Sequence, residues 1–413
     1  MKLAVIGSGV SGLVLARLAH RAHELSVFEA DARIGGHVHT WELESGDRSY
    51  AVDSGFIVYN ELNYPRFTRL LAQLGVQTQP SSMSFSVSCA RSGLEYNGSS
   101  LRQLFAQPRN ALRPGFLRML AEIARFNRDA PLAVRNGSAH VSLGEYLGAG
   151  RYSAAFREHY ALPMAASIWS LPPARALELP AAFLVSFLEN HGMLSLGERP
   201  TWRVIRGGSR RYADALVAPL RARVRCSTPV RRIERRAGAV LVDGERFDRV
   251  VLACHSDQAL ALLAEPTRAE REVLGALPYQ PNEAVVHTDT ALLPRSRRAW
   301  GAWNYRVQRD PARPACLTYD MNRLQSLAAP ETFCVTLNPE LAVDERRVRG
   351  RARYAHPVMT LAGMRARERR AEISGALGTH YCGAYWGNGF HEDGVASAQA
   401  VARELGLSTE IEA

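Results

Sequence analysis

Apolar residues in this chain fall in short blocks, and the spacing inside the blocks changes along it. Leu3-Ala4-Val5-Ile6 is a continuous run of strand length, a stretch of helical spacing follows, and Leu25-Ser26-Val27-Phe28 forms a second short run. Such runs, bounded by turn residues, predict buried strands. Ser84-Phe85-Ser86-Val87-Ser88 alternates with period two, as a strand with one buried face does, and Leu94-Glu95-Tyr96 is placed to pair with it. From residue ~100 to ~195 the spacing is mostly helical, with breaks at Pro163, Pro172-Pro173 and Pro180. Trp202 to Ser209 begins another strand-like stretch, followed by a helix through Leu216 and Leu220, a strand over Thr228 to Ile233 and a buried-type strand over Phe247 to Cys254. Glu283 to Thr288 and Phe333 to Leu337 are further strands, and Thr379 to Ala398 combines a strand, a glycine-rich loop and a helix start. The expected fold is α/β in two domains. A discontinuous Rossmann-like domain with a parallel sheet takes 1–75, 200–260 and 370–413, and an inserted α+β domain takes 76–199 and 261–369.

The glycines between the first two runs give the first domain a task. Gly7-Ser8-Gly9-Val10-Ser11-Gly12 is G-x-G-x-x-G between a strand and a helix, and Glu29 closes the second strand. Gly7 permits the tight turn, Gly9 lets backbone approach a pyrophosphate, Gly12 lets the helix pack closely on the strand, and Glu29 can accept a ribose hydroxyl. The helix N-terminus, with Ser11 in its first turn, faces the phosphates. Glycine clusters also occur in ordinary turns, but here strand, helix and acidic residue all fall at the required spacing.

Composition narrows the class. The chain has 413 residues, 46% hydrophobic and 22% charged, which is material for two cores, and Phe183-Leu184-Val185-Ser186-Phe187-Leu188 is far shorter than a membrane span. Lys2 before an apolar run resembles the start of a signal peptide, but the dinucleotide glycines mark it as the first strand of a mature protein. Six cysteines without a C-x-x-C pair argue against a zinc site or a disulfide framework and fit a cytoplasmic protein. The net charge is +11, and Lys2 is the single lysine, so the excess is carried by arginine. Anionic partners follow: a phospholipid surface or nucleic acid. No nucleic-acid motif or interleaved aromatic-basic stripe appears, so no nucleic-acid partner is expected. Residues 109–128 mix Arg109, Arg113, Arg118, Arg125 and Arg128 with large apolar residues, with a break expected at Pro114-Gly115. Two readings stay open: a peripheral element on the inner face of the membrane, or an ordinary helix with its apolar face on the core.

After Glu29 the chain continues Ala30-Asp31-Ala32-Arg33-Ile34-Gly35-Gly36-His37, which resembles the E-A-x-x-R-x-G-G extension of the flavoprotein superfamily of amine oxidases, phytoene desaturases and protoporphyrinogen oxidases. The resemblance implies non-covalent FAD, with Ala30, Arg33, Gly35 and Gly36 along its pyrophosphate. His37 stands where many members have Arg or Ser. Asp53-Ser54-Gly55 fits the superfamily's D-x-G pattern beside the flavin. The resemblance further implies that Val230 offers its backbone to the adenine, that Gly383 meets the ribityl chain, and that Asp393, Gly394 and Val395 open a helix whose N-terminus faces flavin O2. Within the superfamily, G-G-H-x-x-T (Gly35 to Thr40), D-x-G-F-I-V-Y-N (Asp53 to Asn60) and G-F-H-E-D-G (Gly389 to Gly394) are similar to a bacterial group linked to cyclopropane- or methyl-fatty-acid modification. That implies dehydrogenation of a phospholipid acyl chain. Superfamily amine oxidases generally place a lysine against N5 through a water, and Lys2 lies before the first strand, so a small amine is the alternative substrate. Carriers of the GDP-dissociation-inhibitor type share the fold without flavin chemistry and are the alternative of another class. Removing hydride from an acyl carbon requires a base for the neighbouring proton. His391, Glu392 and His191 are the candidates, and Phe56, Tyr59, Trp303, Tyr305 and Phe390 are expected at the substrate.

Overall fold

The computed structural model describes residues 1–137, 141–194 and 200–411. The expected βαβ unit forms, with strand Lys2–Ile6, helix Val10–Ala19 and strand Glu24–Phe28. These two strands are parallel, Lys2 opposite Glu24 and Ile6 opposite Phe28. They sit inside a five-stranded sheet in the order Val224–Arg225, Glu24–Phe28, Lys2–Ile6, Arg249–Leu252, Thr379–Tyr381, in which every neighbouring pair is parallel. Alternation explains why its strands are apolar throughout. Leu3 and Val5 enter one core with Leu13, Leu216 and Val401, while Ala4 and Ile6 enter a second core with Phe247, Val273 and Leu274 on the other face. Because the strands are parallel, their C-terminal ends share one edge, and the loops starting at Gly7, Glu29, Ala253 and Cys382 meet there.

A second sheet has seven strands in the order Val348–Pro357, Tyr279–His287, Cys334–Leu337, Cys316–Asp320, Trp303–Val307, Phe85–Cys89, Leu94–Asn97. Its pairs are antiparallel except Trp303–Val307 with Phe85–Cys89. Helices Pro114–Arg135, Leu162–Trp169 and Ala181–Asn190 contribute to the largest core together with this sheet.

One sequence expectation changes. Helix Arg268–Leu274 puts Val273 and Leu274 into the core of the parallel sheet, so the chain leaves the first domain after 260 rather than at it. The break expected at Pro114-Gly115 is present: a short helical turn Pro108–Leu112 ends, Arg113 is extended, and Pro114 opens the next helix at its first position, where a missing N–H costs nothing. Among the described residues no helix is long and apolar enough to cross a membrane.

Candidate functional site

The two glycine motifs converge at the shared sheet edge. Gly7 has φ of +104°, and a Cβ there would lie 2.9 Å from the Ala253 carbonyl oxygen. At Gly12 a Cβ would collide with the Gly7 carbonyl, so only glycine lets helix and strand approach this closely. Gly9 differs, since a Cβ there meets no atom within 4 Å and would project into open space. The first helix has Gly9 as its N-cap, with no side-chain cap and no acidic residue in its first turn, which leaves its N–H groups for an anion. Glu29 is held by the Ser8 N–H at 3.0 Å and the Asp31 N–H at 2.9 Å, and its oxygens keep lone pairs for further donors. Gly35 bridges Gly9, and a Cβ on Gly36 would sit 3.3 Å from the Gly9 Cα. Arg33 donates from Nη1 to the Val38 carbonyl at 3.1 Å. Ala30 is exposed at the strand end. Val230 is not in a strand as expected; its segment is extended and runs beside Glu29 through the Thr228 N–H to the Glu29 carbonyl at 2.8 Å.

The C-terminal motif approaches from the opposite side. Gly383 follows strand Thr379–Tyr381, donates its N–H to Ser397 Oγ at 2.8 Å, and has the Tyr385 ring packed where a Cβ would go. Helix His391–Glu404 packs on the first helix, and a Cβ on Gly394 would meet Val10 Cγ1 at 2.6 Å and Ser11 Oγ at 3.1 Å. Asp393 accepts the Phe390 N–H at 2.9 Å, and burial raises its carboxyl to about 6. The Gly394 N–H is taken by the Phe390 carbonyl at 3.0 Å, and Val395 is buried in the core one residue further on. The free N–H groups of this helix therefore belong to its first three residues, His391 to Asp393, and not to Gly394 or Val395.

Between the sheets lies a cavity of about 750 Å³. Of the residues named for the substrate, Phe56, Trp303 and Phe390 line it, along with His37, His191 and His391. Tyr59 and Tyr305 do not. Tyr59 is in strand Tyr59–Asn60 with its ring against Phe67, and Tyr305 is buried in the core of the second sheet. Leu120, Met164, Trp169, Phe187, Tyr319, Tyr354 and His356 complete much of the wall. No Asp, Glu, Lys or Arg is among the described residues that line it.

The three base candidates occupy different settings. His391 stacks on Phe56 with centroids 3.5 Å apart, its Nε2 is 2.6 Å from Tyr212 Oη, and burial lowers its pKa to about 3. It is a clamped ring with its Nε2 already engaged. Glu392 is absent from the cavity wall; its carboxylate accepts the N–H groups of Arg66 at 3.2 Å and Phe67 at 2.9 Å, and so caps helix Pro65–Gln73. Glu392→Ala is expected to cost about 1 kcal/mol, the usual loss of a cap, with the rate of flavin reduction unchanged. Thermal unfolding and single-turnover kinetics check the two halves. His191 lines the cavity between Phe187 and Trp202, with ring centroids at 3.9 and 5.7 Å. Its Nδ1 lies 2.8 Å from the Phe187 carbonyl, which fixes the Nδ1–H tautomer and leaves Nε2 bare. Nε2 is buried and has no hydrogen-bond partner among the described residues.

A family profile described as flavin containing amine oxidoreductase matches residues 10–309. The chain belongs to that family. A Mycobacterium tuberculosis protein named as a flavin-containing monoamine oxidase, AofH, is 27% identical over 253 residues, 59% of this chain and 53% of that one. The chain thus spans about half the length of the curated relatives it matches. A structure assigned as a protoporphyrinogen oxidase from Exiguobacterium sp. 255-15 is 18% identical with a TM-score of 0.71, over 98% of each chain. A conjugated-linoleic-acid-producing fatty acid isomerase from P. acnes is 15% identical with a TM-score of 0.67, over 97% of this chain and 98% of that one. These last two show the fold.

Membership makes the chain a flavoprotein of the oxidoreductase class, and the residues present fit FAD: open space at Gly9, an uncapped first helix, Glu29 fixed at the strand end and a second helix N-terminus at His391. Sequence reasoning missed Tyr354 and His356 of this flavoprotein. Tyr354 Oη is 2.7 Å from Ser54 Oγ, and His356 packs with His37 at 5.4 Å between centroids. The signal was available, because strand Val348–Pro357 alternates, with exposed Arg351 and Arg353 opposing Tyr354 and His356.

Proposed function

We propose that this flavoprotein dehydrogenates a fatty acyl chain, such as a methylated acyl chain of a membrane phospholipid. The observation that carries the reading is the cavity wall, which is largely apolar and aromatic and holds no Asp, Glu, Lys or Arg among its described residues. Such a wall suits a hydrocarbon chain and offers no carboxylate to an ammonium group. The lone lysine also bears on this: Lys2, the first residue of the first strand, pairs through Nζ with Glu245 at 3.0 Å, and neither residue lines the cavity. FAD supplies the hydride acceptor. Forming a carbon–carbon double bond would also require a base on the protein to take the proton from the neighbouring carbon. The protein's own part is to hold the chain between Phe56, Trp169, Phe187 and Phe390, exclude water and receive that proton. His191 is the residue best placed for it, since its ring is immobilised, its tautomer is set and its free Nε2 belongs to a cavity wall. Burial lowers its pKa, which keeps it in the unprotonated, accepting form at neutral pH.

A small amine is the second reading, supported by the monoamine oxidase name of the M. tuberculosis relative. Anaerobic stopped-flow separates the two. Flavin bleaching is expected with detergent-dispersed phospholipid bearing methyl-branched chains, and none with simple mono- or polyamines. Rapid bleaching by an amine would sink the acyl reading. His191→Gln is expected to slow bleaching by about 100-fold or more, the usual scale of a lost general base, while FAD content stays at parent level.

A further inference from the structure

Two helices carry leucines that pass from solvent into the cavity wall. In Leu101–Leu104, Leu104 lines the cavity and Leu101, one turn earlier, is 76% exposed. In Pro114–Arg135, Leu120 and Ile123 line the cavity, and Leu117, one turn before Leu120 on the same face, is 45% exposed. Leu112, just ahead of that helix, is 86% exposed. The two elements are in contact, since the rings of Phe105 and Phe116 lie 6.0 Å apart. Solvent-facing leucines thus continue into the hydrocarbon-lined interior without a polar interruption along either helix face.

Arginine dominates the segment that carries these leucines, although Arg118 is paired with Glu122 at 3.2 Å. From Tyr96 to Ala121 the chain has Arg102, Arg109, Arg113 and Arg118 and no Asp or Glu. Arg109 and Arg113 each give one Nη2 to a neighbouring carbonyl, of Gly93 at 3.0 Å and Ser92 at 3.2 Å, and both side chains remain at the surface with further N–H groups to offer. Arg125 does not belong to this patch: it bonds the Gly150 carbonyl and lies over the Tyr152 ring.

We infer that the surface formed by Leu101, Leu112 and Leu117 with Arg102, Arg109 and Arg113 docks on an anionic phospholipid bilayer, so that an acyl chain passes from the bilayer along the two helices into the cavity. Charge complementarity selects this occupant: leucines enter the acyl boundary while guanidinium groups meet phosphates. The inference rests on the acyl-chain reading of the cavity.

The test uses FAD-loaded full-length protein and co-flotation with vesicles, either phosphatidylcholine alone or phosphatidylcholine with phosphatidylglycerol. The parent is expected to float with the anionic vesicles only, and to be released at high salt, where the reach of surface charge falls to about 3 Å at 1 M. Leu101→Gln/Leu112→Gln/Leu117→Gln should weaken vesicle binding about tenfold or more, given the apolar area each leucine would bury. Leu341→Gln/Leu361→Gln/Leu377→Gln, exposed leucines elsewhere, should leave it unchanged, and flavin absorbance reports that both variants are folded. Parent protein that stays unbound to anionic vesicles, or equal losses in the two triple variants, overturns the inference. Reduction of the flavin by dispersed acyl lipid is scored separately. Reduction without flotation leaves the proposed activity standing and removes the docking surface, and flotation without reduction does the reverse.

Discussion

Gly9→Val is expected to give a folded protein that has lost FAD. The position allows both halves of that result. Its backbone, at φ −66° and ψ 179°, is extended and open to any side chain, and a Cβ there meets no protein atom within 4 Å. The fold therefore tolerates valine. The space it fills is the approach to the uncapped N-terminus of the first helix, where the FAD pyrophosphate would be held. Affinity for FAD should fall by at least about 100-fold, or about 2.7 kcal/mol. The readouts are flavin absorbance of the purified variant, titration with added FAD, and the unfolding temperature of parent and variant as apoproteins. Gly12→Val gives the contrast: its Cβ would collide with the Gly7 carbonyl and drive helix from strand, so the fold itself should fail. If Gly9→Val keeps stoichiometric flavin, the pyrophosphate lies elsewhere.

What the sequence revealed follows from how local each feature is. Gly7, Gly9, Gly12, Glu29 and Gly36 act within one βαβ unit, so their spacing along the chain is nearly their spacing in space, and the structure places all of them at one sheet edge. The same holds for Asp393 and the helix it opens. The cavity wall is assembled from the loop near 56, helices between 114 and 190 and strands beyond 300, and no local pattern links them. Tyr59 and Tyr64 illustrate the difficulty. They lie in one short loop of similar composition, yet a two-residue pairing with Trp202 and Arg203 turns Tyr59 onto Phe67, and Tyr64 lines the cavity instead. Trp303 and Tyr305 are two apart on one strand and so share a face. Helix Leu162–Trp169 packs along that strand, and only Trp303 borders the cavity. Glu392 was misplaced for a similar reason, because helix Pro65–Gln73, which it caps, is more than 300 residues away in the chain.

Lowering the pH from 6.5 to 5 is expected to destabilise the folded protein, because buried histidines outweigh buried carboxyls in that window. Burial lowers His391 to about 3 and His287 and His356 to about 4, and holds His37 well below its ordinary value, with neighbouring histidines adding to the effect. Since each folded pKa lies under the unfolded one, the unfolded chain takes protons that the folded chain refuses. Stability is full above about 6.5 and falls with every step below it. Because the unfolded ring is already half protonated at about 6.5, and His391 and His356 face the cavity, His391, His287 and His356 each withdraw on the order of 1 kcal/mol over this window, and His37 acts in the same direction. Asp53 and Asp393 act in the opposite sense. Burial raises both to about 6, so the stability linked to them is present at low pH and lost as pH rises through 6. Between pH 6 and 5 they return on the order of half to one kcal/mol each. Carboxylates held down by ion pairs, such as Glu270 beside Arg235, change only below the ordinary carboxylate range and leave this window untouched. The net loss is on the order of 1 kcal/mol, enough to lower the unfolding temperature of a chain this long by about a degree or two. Thermal unfolding at the two pH values measures it. His391→Gln supplies the control, since an amide can still meet the Tyr212 hydroxyl but does not titrate, and its slope with pH should be shallower than the parent's. An unfolding temperature that is flat or rises on acidification would mean that these rings take up protons in the folded state, and the cavity would then hold charge rather than hydrocarbon.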